Sequence, residues 1–335
     1  MAKNDVVLEV QNLQTHLGSR EGTVKAVSGS SFEVNKGETL GIVGESGCGK
    51  TMTALSIMGL VPPQLGGVVG GSIILDGEDL AQMDDSDIRK RRSTKMGMIF
   101  QDPATSLNPT MKVGPQIAET LQIHMGLDEK SARTRVVQLL ERVGIPSPAT
   151  RYYEYPFQFS GGMRQRVMIA IALSCNPMLL IADEPTTALD VTVQAQLLEL
   201  VKDLQKEEGM SVIWITHDLG VVAELCDRVA VMYVGKMVEI ASTKKIFEKP
   251  LHPYTEALLN AVPVPDPRKR KSEKKHLSGE VANPADPPSG CYFHPRCPYA
   301  QDICKTTKPK LEEVQPGRFV SCHRAKELDL TGITK

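Results

Sequence analysis

The sequence predicts an α/β fold, because strand-like apolar runs alternate with helix-patterned segments along much of its 335 residues. The runs at residues 40–43, 179–182 and 212–215 are continuously apolar, as buried central strands of a parallel sheet are. Residues 105–175 carry apolar side chains at helical spacing, and residues 8–34 are rich in strand formers. The expected architecture is an α/β core with a β-rich subdomain and a helical insert at about residues 105–175.

Local signals place several smaller elements. Asp76 and Gly77 stand between strand-like residues, which favours a tight hairpin turn. Further strands are expected to begin at Leu179, Ser211 and Arg228. Pro253 follows His252 at the start of an apolar, helix-patterned stretch, a position that suits proline in a first helical turn.

One segment carries a complete phosphate-binding pattern. Residues 44–51 fit G-x-x-x-x-G-K-[ST], directly after an apolar run and before a helix-like run, which argues against a chance glycine-rich turn. Glycines let backbone N–H groups approach phosphates, Lys50 reaches the β- and γ-phosphates, and the Thr51 hydroxyl can ligate Mg²⁺. We therefore expect ATP-like triphosphate binding through Gly44, Ser46, Gly47, Cys48, Gly49, Lys50, Thr51 and Met52.

Two carboxylates end the apolar run at residues 179–182. Asp183 and Glu184 follow it directly, where a parallel strand reaches the edge of its sheet. We expect Asp183 to hold Mg²⁺ through water. Glu184 is then expected to act as the general base that faces the attacking water, because it is not tied up in metal coordination.

Three further polar groups occupy similar positions. Ser160, Gly161 and Gly162 precede a helical apolar run, and a free helix N-terminus attracts an anion. Gln101 and His217 each follow a strand-like run, as ligand-binding residues do at the carboxyl edge of a parallel sheet.

In this order the motifs resemble the nucleotide-binding subunits of ATP-binding-cassette (ABC) transporters, over residues 8–240. The resemblance implies a P-loop ABC-type ATPase core in which Gln101 senses the γ-phosphate and Mg²⁺, and His217 steadies the γ-phosphate. It adds the D-loop Asp190 to the nucleotide-binding residues. It also implies a head-to-tail dimer, in which Ser160, Gly161 and Gly162 serve the partner's ATP. The residue after that signature is usually glutamine and here is Met163, with Gln165 nearby.

Composition limits the other functions. A hydrophobic content of 41% supports a substantial core, and a formal charge of −1 offers no global attraction to nucleic acid or anionic lipid. Tandem cassettes, coiled coils and inserted zinc modules are absent, which disfavours a soluble ABC ATPase that acts on DNA or ribosomes. We find no run long enough to span a membrane and no signal peptide, so we expect a cytosolic protein. The resemblance to transporter subunits implies that it acts as a peripheral protein at the cytoplasmic face of the membrane.

Beyond residue 250 we expect a helix and a linker rich in Pro, Lys and Arg (251–290), then a cysteine-rich extension (291–335). The extension contains Cys291, Cys297, Cys304 and Cys322, spaced C-x5-C-x6-C-x17-C. Four clustered thiols in a reducing cytosol favour a metal over disulfides, and the spacing leaves zinc and an iron–sulfur cluster equally open. His294 and His323 are less favoured substitute ligands.

This end of the chain resembles the C-terminal extension of oligopeptide/dipeptide ABC importers, through residues 252–254 and 290–298. The resemblance implies that the four cysteines bind a [4Fe–4S] cluster and that the chain is the D-type ATPase subunit. It implies a heterodimer with an F-type ATPase subunit, two membrane permeases and, indirectly, an external peptide-binding protein. Nickel and glutathione importers share this extension, so they stay alternatives to peptide. The tail holds few apolar residues, and we expect ATP binding to be independent of it.

Overall fold

A computed structural model describes residues 5–19, 22–187, 189–261 and 279–333 of the chain. Its strands and helices are numbered in chain order. The strands are β1 (Val6–Ser19), β2 (Gly22–Asn35), β3 (Thr39–Val43), β4 (Gly66–Leu75), β5 (Glu78–Asp79), β6 (Met96–Ile99), β7 (Leu179–Asp183), β8 (Ser211–Ile215), β9 (Arg228–Tyr233), β10 (Lys236–Ser242), β11 (Glu312–Gln315) and β12 (Arg318–Val320). The helices are α1 (Lys50–Ile57), α2 (Asp85–Arg91), α3 (Pro103–Ser106), α4 (Val113–Met125), α5 (Glu129–Arg142), α6 (Pro148–Arg151), α7 (Gly161–Leu173), α8 (Val191–Glu208), α9 (Leu219–Leu225), α10 (Thr243–Glu248), α11 (Pro253–Ala261) and α12 (Asp302–Thr306).

The chain divides into two compact units. Unit 1 consists of Val34–Glu38 and Gln82–Trp214, together with the start of the chain up to Val7. Unit 2 consists of Leu8–Glu33, Thr39–Ala81 and Ile215–Lys335. Each is described separately below.

Unit 1 combines parallel strands with the predicted helices. Strands β6 and β7 pair in parallel, with Met96 opposite Leu179 and Ile99 opposite Ala182. Helices α4, α5 and α7 pack on one another, and α7 also packs on β6. The helical spacing predicted within residues 105–175 is confirmed in α5, where Val136, Leu139 and Leu140 are buried on one face. The helices expected between residues 105 and 175 are thus present, whereas the boundaries of the insert as a domain stay a prediction.

Unit 2 contains a β-rich part and the C-terminal segment. Strand β1 pairs with β4 in antiparallel register, with Leu8 opposite Leu75. The predicted turn at Asp76 and Gly77 joins β4 to β5, and both residues have positive φ, as a tight hairpin turn requires. Strand β3 pairs in parallel with β9, which continues into the antiparallel hairpin β9–β10.

The cysteine-rich extension packs within unit 2. Its strand β12 pairs with β10, placing Val320 opposite Glu239, and β11 pairs with β12. Glu239 is fully buried and accepts hydrogen bonds from the backbone N–H groups of Leu251 and His252 and from Arg318. Buried charges that are paired in this way hold segments in one arrangement, since removal of one partner leaves the other uncompensated. The extension therefore shares a buried polar network with the segment that begins α11.

Two predictions fall partly outside this description. Most of the predicted linker, including the basic run at residues 268–271, lies in residues 262–278, outside the described residues. The boundaries at residues 250 and 290 stay predictions. Among the described helices, none combines the length and the apolar character needed to cross a membrane.

Candidate functional site

The phosphate-binding loop, residues 44–51 (the P-loop), joins β3 to α1 in unit 2. Two of its residues must be glycine, because the backbone of another segment lies too close to leave room for a side chain. A Cβ on Gly44 would lie 2.2 Å from the Met232 carbonyl oxygen, and one on Gly49 would lie 2.3 Å from that of Ala26. Gly49 also has φ +106° and offers no side chain to cap α1. No side chain at the N-cap therefore competes with an anion at the start of α1, as a phosphate site requires.

Lys50 is buried and points its ammonium at the loop itself. Its Nζ donates to the carbonyl oxygen of Gly44 at 2.9 Å and to that of Glu45 at 3.1 Å. The remaining predicted nucleotide residues differ in exposure: Cys48 is buried, Gly49 and Met52 are half-buried, and Ser46, Gly47 and Thr51 are exposed. Burial raises the pKa of the Cys48 thiol, so this cysteine is a small neutral packing residue.

His217 shares a cavity with the P-loop. It follows Thr216, just after β8, and lines a space of about 270 Å³ together with Gly44, Glu45 and Asp218. The cavity is also lined by Leu258 of α11. The structure of unit 2 therefore brings the predicted γ-phosphate histidine to the first residues of the P-loop.

The predicted carboxylates lie together with Gln101 in unit 1. Asp183 is buried at the end of β7, and Gln101 follows β6, its parallel neighbour. The Nε2 of Gln101 donates to Oε2 of Glu184 at 3.3 Å, and the Thr187 hydroxyl donates to the same oxygen at 3.2 Å. Glu184 also has φ +44°, a conformation that costs a non-glycine residue about 1–3 kcal/mol and is concentrated at functional sites.

Thr187 is a site residue that the sequence reasoning missed. Its signal was its position three residues after Glu184, which allows its hydroxyl to reach back across the turn.

The signature residues and Asp190 are also adjacent in unit 1. The Ser160 hydroxyl caps α7 by accepting from the Met163 N–H at 3.3 Å, and Asp190 caps α8 by accepting from the Val193 N–H at 2.9 Å. A Cβ on Gly162 would lie 2.9 Å from Val193, so glycine is needed where α7 meets α8. Gly161 is exposed beside them.

Gln165 does not take the place of Met163. Its side chain is buried, and among the described residues its Nε2 has no hydrogen-bond partner. Met163 itself is half-buried. The position after the signature therefore carries a methionine side chain, and the nearby Gln165 does not supply the glutamine that is usual there.

The four cysteines of the extension line one small cavity. Cys291, Cys297, Cys304 and Cys322 surround a space of about 20 Å³, which His294 and His323 also line. All four thiols are free, and the Cys291 N–H donates to the Cys304 carbonyl oxygen at 2.8 Å. Residues separated by up to 31 positions in the sequence are thus gathered at one place, as a single ligand set requires.

Burial and mutual repulsion both disfavour the thiolate forms in this cavity. Burial raises the pKa of Cys297 to about 11 and of Cys322 to about 12, and repulsion from the neighbouring cysteine thiolates adds to both shifts. Within the described part of the chain, no three His, Cys, Asp or Glu side chains are arranged to hold a metal ion. A zinc site, with Zn–S bonds of about 2.3 Å, needs the four sulfurs in close mutual contact. The cavity gathers the four thiols but does not by itself distinguish zinc from an iron–sulfur cluster.

Comparison with known proteins identifies both parts of the chain. Residues 27–187 match the family described as ABC transporter, and residues 238–304 match the oligopeptide/dipeptide transporter C-terminal region. The oligopeptide transport ATP-binding protein AppD of Bacillus subtilis is 51% identical, over 96% of this chain and 97% of that protein. The dipeptide transport ATP-binding protein DppD of the same organism is 50% identical, over 98% of this chain and 99% of that protein.

Solved structures show the same fold. The ATP-binding cassette MJ0796, in a dimeric post-hydrolysis state bound to ADP and Pi, superposes with a TM-score of 0.64 at 26% identity, over 70% of this chain and 98% of that chain. The cbiO1 protein of Clostridium perfringens, part of the ABC transporter complex cbiONQ, has a TM-score of 0.62 at 30% identity, over 73% of this chain and 91% of that chain. The chain therefore belongs to the ATP-binding subunits of oligopeptide/dipeptide ABC transporters, whose ATP hydrolysis powers peptide transport.

Proposed function

We propose that this chain is the D-type ATPase subunit of an importer of di- and oligopeptides, acting at the cytoplasmic face of the membrane. The observation that carries the substrate class is the near-full-length identity of about half to peptide-transport subunits, which includes the C-terminal region. The intact Lys50, Asp183, Glu184 and His217 support an active ATPase over a regulatory module built on an inactive one.

The residue roles follow the chemistry of each group. The P-loop residues and Lys50 bind the phosphates of ATP, and Thr51, Gln101 and Asp183 hold Mg²⁺, which neutralises charge on the phosphates. Glu184 accepts the proton of the attacking water, and Gln101 and Thr187 orient its carboxylate by donating to it. His217 steadies the γ-phosphate. This assignment is supported by the hydrogen bonds at Glu184 and by its backbone conformation.

The partner subunit completes catalysis. Ser160, Gly161, Gly162 and Asp190 act on the ATP of an F-type ATPase subunit in a head-to-tail heterodimer. Gly162 packs closely against Val193 at the start of α8, where Asp190 caps the helix. This packing supports the proposal that the signature residues and Asp190 contact the partner's ATP as one surface. Met163 in place of the usual glutamine makes a heterodimer more favourable than a pair of identical chains.

The helical insert is the surface for the membrane permeases. Tyr153 and Phe157, which lie between α6 and α7, are exposed by 46% and 69%, and Ile123 and Met125 near the end of α4 are also exposed. These residues stand in two short stretches of the insert, and exposed large apolar side chains that are close together in sequence are typical of a protein interface. The expected partner at this surface is a helix from a cytoplasmic loop of a permease. Such a contact would transmit the conformational change that ATP hydrolysis drives to the membrane subunit.

The cysteine cavity is proposed to hold a [4Fe–4S] cluster. Four free thiols converge there, and the resemblance of residues 290–298 to the extension of oligopeptide/dipeptide importers implies a cluster held by these four cysteines. Cationic iron would favour the thiolate forms that burial otherwise disfavours. When bound, the cluster supplies a covalent staple between distant parts of the extension.

Reconstitution tests the substrate class. The chain, its F-type partner, the permeases and the binding protein encoded beside it would be assembled in proteoliposomes. We expect dipeptides or oligopeptides to stimulate ATP hydrolysis and to accumulate in the compartment on the same side of the membrane as the ATPase. Stimulation by Ni²⁺ or glutathione, with no response to peptides, would replace the peptide assignment by one of those substrates.

A further inference from the structure

Glu45, the second residue of the P-loop, is connected to both Lys50 and the C-terminal segment. Its carbonyl oxygen accepts from Lys50 Nζ at 3.1 Å, and its N–H donates to the Tyr254 hydroxyl at 2.8 Å. Its carboxylate accepts two hydrogen bonds from Arg296, at 2.7 Å from Nη1 and 3.0 Å from Nη2. The backbone and the side chain of Glu45 are therefore both held by residues more than 200 positions later in the sequence.

Arg296 is itself held rigidly. Its side chain is only 5% exposed, and its guanidinium carbon lies 5.9 Å from the ring centroids of both Tyr233 and Phe293. A guanidinium that contacts both oxygens of a carboxylate fixes the orientation of that carboxylate, which a lysine cannot do. Arg296 thus sets the position of Glu45.

The position of Arg296 depends on the cysteine-lined cavity. Arg296 ends a short 3₁₀ turn, His294–Arg296, and the next residue, Cys297, lines the cavity. Phe293, before the turn, is buried against Tyr233 and Tyr254. The turn is therefore anchored on one side by the aromatic core and on the other by the thiol cavity.

We propose that Arg296 is a positioning residue for nucleotide binding, which acts by neutralising and orienting Glu45 of the P-loop. The inference rests on the proposed role of the P-loop in ATP binding. The phosphates of ATP bring several negative charges to this loop, and an uncompensated carboxylate two residues before Gly47 would repel them. Arg296 removes that repulsion and holds the Glu45 carbonyl where it contacts Lys50.

Equilibrium binding of a non-hydrolysable ATP analogue to the full chain, loaded with its metal group, tests this role. We expect Arg296→Gln to raise the Kd about 10- to 100-fold, because it leaves the Glu45 carboxylate unpaired beside the phosphates. Arg296→Lys is expected to restore part of the affinity, since it keeps the charge but loses the two-point contact. Glu45→Gln removes the repelling charge but also weakens the two-point contact with Arg296, so its loss of affinity is expected to be smaller than that of Arg296→Gln.

The double variant separates positioning from simple anchoring. If Arg296 acts through the charge of Glu45, Glu45→Gln combined with Arg296→Gln binds the analogue more tightly than Arg296→Gln alone, because the unpaired carboxylate is gone and the two effects are not additive. If the double variant binds as weakly as Arg296→Gln, Arg296 does not act through the charge of Glu45 and the proposal is overturned.

A matched control comes from the same extension. Arg318 forms a buried ion pair with Glu239, at 3.0 Å, instead of contacting the P-loop. Arg318→Gln should lower the melting temperature of the chain at least as much as Arg296→Gln does, while the analogue still binds within about threefold of normal. Equal losses of affinity in the two variants would attribute the effect to general loosening and reject the proposal. Failure of the unmodified chain to bind the analogue would instead contradict the proposed ATP site.

Discussion

The amide of Gln101 donates to the carboxylate of Glu184 at 3.3 Å, which links the residues that follow the parallel strands β6 and β7. Neither residue is near the other in the sequence, and their contact depends on the register of the two strands. It places a neutral donor on the carboxylate expected to accept a proton. The orientation of Glu184 is therefore set by two donors, Gln101 and Thr187.

Replacement of Glu184 by Gln should keep ATP binding and lower turnover about 10²- to 10³-fold, which is a loss of about 3–4 kcal/mol of transition-state stabilisation. The physical reason is that an amide keeps the shape of the side chain but cannot accept the proton. Steady-state ATP hydrolysis by the assembled complex measures the effect. Glu207→Gln, a change at an exposed residue of α8 that pairs with Arg142, serves as the control. Near-normal turnover of the Glu184 variant would remove Glu184 from the role of general base.

Replacement of Lys50 by Ala should abolish nucleotide binding. Lys50 is the buried cation of the P-loop, and its ammonium contacts the loop's own Gly44, Glu45 and Cys48, so its loss removes the cation that faces the phosphates. Titration with a fluorescent ATP analogue checks this, with the exposed Lys90→Ala as a surface control. Tight binding by the Lys50 variant would contradict the assignment of the loop.

The isolated chain should be a poor ATPase. In the proposed head-to-tail heterodimer, the signature that completes its catalytic site comes from the partner subunit, and Met163 favours a partner of different sequence. Turnover would be measured for the chain alone, for the chain with the F-type subunit, and for both with the permeases. We expect a strong increase on assembly. Full activity in a sample shown to be monomeric by light scattering would refute completion of the site by a partner.

The cysteine cavity should contain iron. Anaerobically prepared protein should be brown and contain about four iron and four sulfide per chain, as a [4Fe–4S] cluster requires. Replacement of Cys322 by Ser should lower the iron content and expose the extension to protease, because one attachment of the staple is lost. Cys175→Ser, a change at a free cysteine of unit 1, is the control. One zinc per chain and no iron would refute the cluster.

The contact between Arg296 and Glu45 revises one expectation, namely that ATP binding survives the loss of any cysteine of the extension. From the sequence, ATP binding was expected to be independent of the extension. Because Arg296 precedes Cys297 and holds the P-loop, Cys297→Ser should also weaken binding of the ATP analogue severalfold. Unchanged affinity in a variant that has lost its iron would show that the two sites are independent.

Acid should destabilise the chain through His252. Burial lowers the pKa of this histidine from 6.5 to about 3, so the folded state keeps it neutral while the unfolded chain binds a proton. Its contribution to stability is thus complete above pH 6.5 and is lost as the pH falls toward 3, by about 1.4 kcal/mol per pH unit. Melting temperatures at pH 7 and pH 5 measure this loss. His252→Gln, which keeps an acceptor for the Tyr254 N–H, should show a smaller decrease. Equal decreases in both proteins would rule out His252 as the cause.

The sequence alone was enough to predict the nucleotide-binding motifs and the strands and helices that flank them. The P-loop is a local string whose chemistry depends on neighbouring residues, and the strands at Leu179, Ser211 and Arg228 begin where their apolar runs predicted. Periodicity also identified the buried face of α5. These features were predictable because each is decided within one element, by side-chain spacing and backbone requirements.

Only the tertiary structure decided which distant groups meet. The four cysteines could be counted in the sequence, but their convergence on one cavity depends on how the extension packs. Nothing in the sequence indicated that Arg296 holds Glu45, because the pair is separated by 251 positions and is brought together by the buried aromatic contacts of Tyr233, Tyr254 and Phe293. Such pairs follow from packing of apolar side chains, a non-local property that short-range patterns do not encode.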